Sequence, residues 1–327
     1  MDSKQTSSGL ANERGRDALR PAEIPLKGWK DILLRVKDQL ARDHVSIIAA
    51  GVAFYAFLAI FPAIAAIVSI YGLLTDPGTV QQHLAELTSV LPKDAHDLLA
   101  EQLSGLTKRS DSTLSLGAFI AIVAAIWSAK KGANALIEGM NIAYHEVDDR
   151  GFFKKTLVTL AFTSGAVVMA IVSGVLVVGL PAALGNLGLP DFLAALLSVA
   201  RWLILSVILL CALAVIYRYA PHRSRPRWRW VTWGSVVAVT LWLVASWGFS
   251  YYVSNFDSYN KTYGSLAAVV ILLMWTFISS YIVLLGAEIN AEMEHQTERD
   301  STCGEEQPMG NRGAYHADTL GKSSSAS

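Results

Sequence analysis

Six stretches of this chain are each apolar over nearly the length needed to cross a bilayer, and that repetition constrains what it can fold into. They run over about 45–74, 113–129, 156–184, 192–217, 231–253 and 264–287. A hydrocarbon core of about 30 Å takes a helix of about 20 mostly apolar residues. The second stretch is short, but Lys130 and Lys131 follow it, and their long side chains can snorkel toward the headgroups. The first is too long and starts too late to be a secretory signal. In hydrocarbon every backbone amide must be paired within its own segment or in a closed barrel, and these runs lack a barrel's alternation. The expected fold is therefore all-α: a polytopic integral membrane protein, a bundle of six transmembrane helices.

Composition agrees. Charged residues make up 17% of the chain, against about 25% in an average soluble domain. The 27 basic residues balance 27 acidic ones, which argues against a basic nucleic-acid binder. The two cysteines, Cys211 in an apolar run and Cys303 in a polar tail, form neither a disulfide framework nor a metal signature.

Charge placement sets the expected orientation. With a cytoplasmic N-terminus, the inner segments carry 22 Lys and Arg and the outer loops carry 4, with Arg201 left inside a run. The positive-inside rule then places both termini in the cytoplasm. The expected organisation is a polar, basic cytoplasmic segment 1–44, a six-span domain 45–287, and a cytoplasmic helix end with a disordered tail over 288–327.

Two connectors are amphipathic. In the first outer loop, 75–112, Val80, Leu84, Leu87 and Leu91 recur at helical spacing, as do Ala95, Leu98, Leu99, Leu103 and Leu106 beyond Pro92. A short helical hairpin is expected there, resting on the bundle or lidding a cavity. In the first inner loop, 130–155, Ala133, Leu136, Ile137, Met140 and Tyr144 share one face, while Asn134, Glu138, Asn141 and His145 share another. That polar row is either the solvated side of a cytoplasmic helix or an inward continuation of the second span that lines a vestibule.

Within the second span Gly117, Ala121, Ala125 and Ala129 form a small-residue ridge suited to close helix packing. Pro62 interrupts the hydrogen bonding of the first span and is a candidate hinge. Between Tyr217 and Trp233 five arginines alternate with aromatics. Such a pattern suits single-stranded nucleic acid, but it equally describes an anionic-leaflet boundary with its aromatic belt, the reading preferred here.

No catalytic constellation assembles: there is no HExxH, GxSxG, P-loop or Cys/His metal spacing. No enzyme activity, cofactor or metal is expected. Glu288, Glu292 and His295 share a helix face and would make half of a metal site, but a solvated helix end explains them as well. Asn260-Lys261-Thr262 matches a glycosylation acceptor in a loop too close to the membrane to suit a glycan. Arg201 is either a charge buried in a span, which marks function, or an anchor at the outer boundary if 190–199 is a separate interfacial helix.

Several motifs carry a resemblance. AFYAFLAIFP at Ala53–Pro62, RGFFKK at Arg150–Lys155, YYVSNFDSYNKTYGSL at Tyr251–Leu266 and LLGAEINAE at Leu284–Glu292 together resemble the YihY/BrkB family of bacterial inner-membrane proteins. The resemblance runs from about Leu26 to Glu294. It implies a six-span inner-membrane protein of a family that has carried ribonuclease, virulence and transporter labels. Its pattern singles out Pro62, Asn141, Tyr252, Asn255, Tyr259, Tyr263, Gly264, Gly286 and Glu288. With Arg201 added, the candidate functional positions are Asn141, Arg201, Asn255, Tyr259, Tyr263 and Glu288. Two functions stand open: a transporter or lipid-handling permease of the cell envelope, or a non-transporting envelope scaffold. A membrane ribonuclease is the least favoured. The expected partners are membrane lipids and a small-molecule or lipid substrate, with no nucleic acid.

Overall fold

The structure, a computed structural model, describes residues 13–74, 111–181, 190–254 and 265–323. Seven long helices form the framework of the described residues: α1 (Leu26–Arg42), α2 (Val45–Leu74), α3 (Asp111–Ala143), α4 (Phe152–Gly174), α5 (Asp191–Tyr219), α6 (Trp228–Ser254) and α7 (Ser265–Glu294). A 3-10 turn at Pro21–Glu23 precedes them and a single helical turn at Tyr315–Asp318 follows. Extended pairing among the described residues is limited to one antiparallel bridge, between Pro226 and Thr302.

Among the described residues five segments are long and apolar enough to cross a membrane: Val45–Ala63, Phe152–Val177, Phe192–Tyr219, Trp228–Ser254 and Ala267–Glu294. Only 6% to 22% of each apolar window is buried within the protein, so most of these side chains face outward, where a soluble fold would hide them. The remaining expected span lies in α3, where the side chains of Gly117 and Ala121 fall outside the described residues. The expected hairpin over 75–112 lies outside them too.

The chain divides into two compact units. The first comprises Met1–Ala50, Ala133–Ser250 and Ile278–Ser327, and the second Gly51–Gly132 and Tyr251–Phe277.

In the first unit, α1 is amphipathic and buries Gly28, Asp31, Ile32, Val36 and Gln39 along one stripe. That stripe joins Ala18, Ile24, Trp230, Ile289 and Met293 in an apolar core with Trp29, Leu40, Val237 and Leu285. Helices α6 and α7 cross at glycines. A Cβ on Gly234 would overlap the Gly286 carbonyl, and one on Gly286 would overlap the Tyr217 hydroxyl. The same contact is fastened by Asn290, which accepts a hydrogen bond from the Gly234 N–H at 2.9 Å and donates one to the Val231 carbonyl at 3.3 Å. The LLGAEINAE motif is thus the α7 side of a close helix crossing.

The amphipathic segment of the first inner loop is not a separate helix. It is the last third of α3, and its polar row divides: the Asn134 side chain accepts from Thr159 of α4 at 2.7 Å, Asn141 is buried, and Glu138 is exposed. α3 ends in a Schellman motif, with Glu146 N–H on the Asn141 carbonyl at 2.8 Å and His145 N–H on the Ile142 carbonyl at 2.9 Å. The connector Tyr144–Gly151 then uses Arg150 of RGFFKK to reach the Ala220 carbonyl at the end of α5, at 2.5 Å. Phe152 and Phe153 point outward from the start of α4.

The stretch beyond Glu294, expected to be a disordered tail, is laid against these helix ends as far as Ser323. Local polarity missed it because it is anchored by partners remote in sequence, Thr297 donating to the Ala18 carbonyl at 2.7 Å and His316 bonding the Tyr144 carbonyl, while buried Arg312 ties the stretch to itself through the carbonyls of Ala317 and Glu298. Likewise 190–199 is no separate interfacial helix, since α5 is continuous from Asp191.

In the second unit α2 continues through Pro62, Phe57 stacks edge-on against Phe61 at 5.1 Å, and Gly132 of α3 lies beside Tyr55. Lys131 folds over the Trp127 ring, 5.6 Å from its centroid.

Candidate functional site

The ends of α1, α3, α5 and α7 and the folded tail meet in the first unit around a buried polar cluster. Three imidazoles sit at its centre, with His316 4.9 Å from both His145 and His295, centroid to centroid. His145 holds a positive φ of 52°, a conformation that strains a residue with a Cβ and is used at helix C-termini. That turn brings its ring to 3.5 Å from the Asp43 carboxylate. His316 comes from the tail and is buried, its Nδ1 3.1 Å from the Tyr144 carbonyl.

One side of the cluster is a Glu-x-x-His turn. Glu292 and His295 lie one helical turn apart, and the His295 N–H still bonds the Ala291 carbonyl at 3.0 Å. The Glu292 carboxylate is fully buried and receives Arg35 Nε of α1. Arg35 also donates to the Glu292 carbonyl, to Gln296 Oε1 and to the Lys322 carbonyl, so one guanidinium joins α1, α7 and the tail. Ligand atoms of Glu292, His295 and His316 all lie within 4.8 Å of one another, a spacing that can hold a metal ion.

The other side is a buried ion pair. Arg223 and Glu294 are both fully buried, 2.6 Å apart; Ser301 donates to the same carboxylate oxygen at 2.7 Å, and the Arg223 guanidinium covers the Tyr144 ring at 4.7 Å. Burial raises the Tyr144 hydroxyl above its ordinary range. Burial, with His295 beside it, lowers the His316 imidazole to about 3. The hydrogen bond His145 donates to Asp43 raises the imidazole, and burial raises Glu146, which accepts from the Tyr315 N–H at 2.8 Å.

Of the positions singled out by sequence, Asn141 and Glu288 belong to this region. Asn141 accepts from the His222 N–H at 2.8 Å, while its Nδ2 is buried without a hydrogen-bond partner. Glu288 is 1% exposed, one of its carboxylate oxygens has no hydrogen-bond partner, and Asp43 faces it. Glu288 does not join Glu292 and His295 in a ligand group; His316 takes that place. Arg201 lies sixteen residues before Tyr217 on α5, about 24 Å along the axis, and reaches the Val177 carbonyl at 3.5 Å beside the π-turn Val175–Gly179. Tyr252 is exposed near the end of α6. Asn255, Tyr259, Tyr263 and Gly264 fall outside the described residues. Sequence reasoning missed Arg35, Tyr144, Arg223, Glu294 and His316. The Glu292-His295 spacing was the one local signal for the cluster.

The family model for virulence factor BrkB matches residues 36–309. The chain belongs to the BrkB family. A BrkB-type membrane protein accounts for the apolar helices above and for the shared motifs. A Bacillus subtilis protein named as ribonuclease-like, YfkH, is 30% identical over 253 residues, covering 74% of this chain and 88% of the relative. A UPF0761 membrane protein of Xanthomonas campestris is 40% identical over 81 residues, and one of Vibrio cholerae 37% over 98 residues. These two alignments cover 25% and 29% of this chain, and 19% and 32% of the respective relatives. No solved structure matches the chain. The BrkB match ends before His316, so the imidazole that completes the cluster comes from outside the matched stretch.

Proposed function

We propose that this BrkB-family protein spans the bacterial inner membrane six times with both termini in the cytoplasm, and that it is a permease for a small solute or a lipid rather than an enzyme or a nucleic-acid binder. The imbalance of 22 against 4 Lys and Arg supports the orientation. The observation that carries the permease reading is Glu288. A buried carboxyl group facing a second carboxyl, that of Asp43, is costly to maintain, and a bundle that only packed would gain by replacing it with an apolar residue. A buried ionisable residue on a membrane-crossing helix is of the kind that serves proton relays and substrate paths. The ribonuclease reading finds less support, because the Glu292, His295 and His316 side chains are largely buried, out of reach of a phosphodiester chain.

The test is reconstitution of the full chain in proteoliposomes with two probes, a fluorescent phospholipid scored by dithionite quenching and a pool of labelled small metabolites. Movement of either above empty liposomes is expected. Movement of neither would leave the envelope-scaffold reading.

A further inference from the structure

We infer that Glu292, His295 and His316 bind one divalent transition-metal ion of the zinc class, and that this ion fastens the C-terminal stretch to the end of α7. The inference is independent of transport.

Geometry comes first. His295 Nδ1 stands 3.4 Å from Glu292 Oε2. That is longer than an ordinary N–H···O hydrogen bond of about 2.7–3.2 Å. It equals the edge of a tetrahedron whose ligands lie about 2.0–2.1 Å from a central zinc, which is about 3.4 Å. Consistent with this, His295 Nδ1 is buried and has no hydrogen-bond partner.

The proton positions follow from the neighbours. Thr319 Oγ1 donates its own proton to the Tyr315 carbonyl at 2.7 Å, so at its 3.1 Å contact with His295 Nε2 it acts as acceptor. His295 therefore carries its proton on Nε2 and presents the Nδ1 lone pair toward Glu292. A carbonyl can only accept, so His316 donates from Nδ1 to Tyr144 and its free lone pair is on Nε2. Each imidazole thus has one nitrogen held by an oxygen and the other left to ligate, the outer-shell arrangement that orients metal-binding histidines. Arg35 Nε donates to Glu292 Oε2, the same oxygen that faces His295 Nδ1, and so fixes the orientation of the carboxylate.

Charge agrees with the geometry. The carboxyl groups of Asp43, Glu146, Glu288, Glu292 and Glu294 gather in this region; Glu292 is paired with Arg35, Glu294 with Arg223 and Asp43 with His145. A divalent cation would share the Glu292 carboxylate with Arg35 in a place water reaches poorly. Two imidazoles and one carboxylate suit zinc and its neighbours, whereas calcium and magnesium take oxygen ligands. Two ligands come from α7 and the third from the tail, so the ion would close the intervening loop and favour the folded tail.

The experiment uses the full chain in detergent, carrying an N-terminal tag without histidines and purified without chelator. Elemental analysis should find one zinc per chain, and stripping with EDTA should open Arg312 to trypsin until zinc is returned. His295→Gln and His316→Gln should each lose stoichiometric zinc, whereas His222→Gln, a change at a histidine paired with exposed Asp149, should keep it. Because His316→Gln could unseat the tail by itself, cobalt substitution of the unaltered chain gives a second readout, the visible absorption of tetrahedral cobalt. A stripped chain that takes up no stoichiometric zinc and gives no cobalt band would overturn the inference. So would a His295→Gln/His316→Gln double variant that still binds one zinc.

Discussion

Asn290 of α7 accepts a hydrogen bond from the Gly234 N–H of α6 and donates one to the Val231 carbonyl, clamping two long helices where Gly234 and Gly286 put no Cβ between the backbones. Gly234→Ala should force the helices apart, because the added methyl meets the backbone carbonyl of Gly286, which cannot swing away, and also the Asn290 amide that forms the clamp. Overpacking of this kind costs about 1–3 kcal/mol, so the midpoint of thermal unfolding in detergent should drop. The control is Gly248→Ala, where the added methyl meets open space and where the midpoint should stay or rise.

The Arg223–Glu294 pair gives a second expectation. Both side chains are fully buried, so Glu294→Gln would leave a guanidinium without its counter-charge, a loss of about 3–5 kcal/mol. Replacing both residues by apolar ones of similar volume should recover much of that loss, because the desolvation penalty then vanishes for both ions. Thermal unfolding of the two variants, measured side by side, checks this. Equal destabilisation by both would show that the pair's value lies in its further bonds, such as Ser301 on Glu294.

Topology can be read with reporter fusions. A fusion after Val253 should report outside the cytoplasm, and fusions after Asn290 or Ser323 should report the cytoplasm. The reverse pattern would contradict the orientation drawn from Lys and Arg.

The apolar helices were legible because length and hydropathy are local properties: α4, α5, α6 and α7 lie close to where the runs 156–184, 192–217, 231–253 and 264–287 placed them. Helix α1 escaped notice although its signal was present, with Trp29, Ile32, Val36 and Leu40 at helical spacing among many charges. The polar row continues the second span as part of α3, and this continuity was hidden because the lysines at 130 and 131 read as a span boundary. The tail was illegible for a different reason. His316 and Thr297 are polar residues whose partners, Tyr144 and Ala18, lie far away in sequence, and no periodicity encodes that. Glu288 and Asn141 were found through the family resemblance, whereas Arg35 and Arg223 needed the fold to show what they hold.

The central claim is that Glu288 serves movement of a substrate and not packing. In proteoliposomes, Glu288→Gln keeps the shape of the side chain and removes its charge, and the variant should unfold no earlier than the unaltered chain because a buried carboxylate is relieved. The measurement is the rate at which it moves whichever probe, phospholipid or small metabolite, the unaltered protein moves. The account predicts that this rate falls to the level of empty liposomes while stability is kept. A Glu288→Gln protein that moves the probe as fast as the unaltered chain would contradict it.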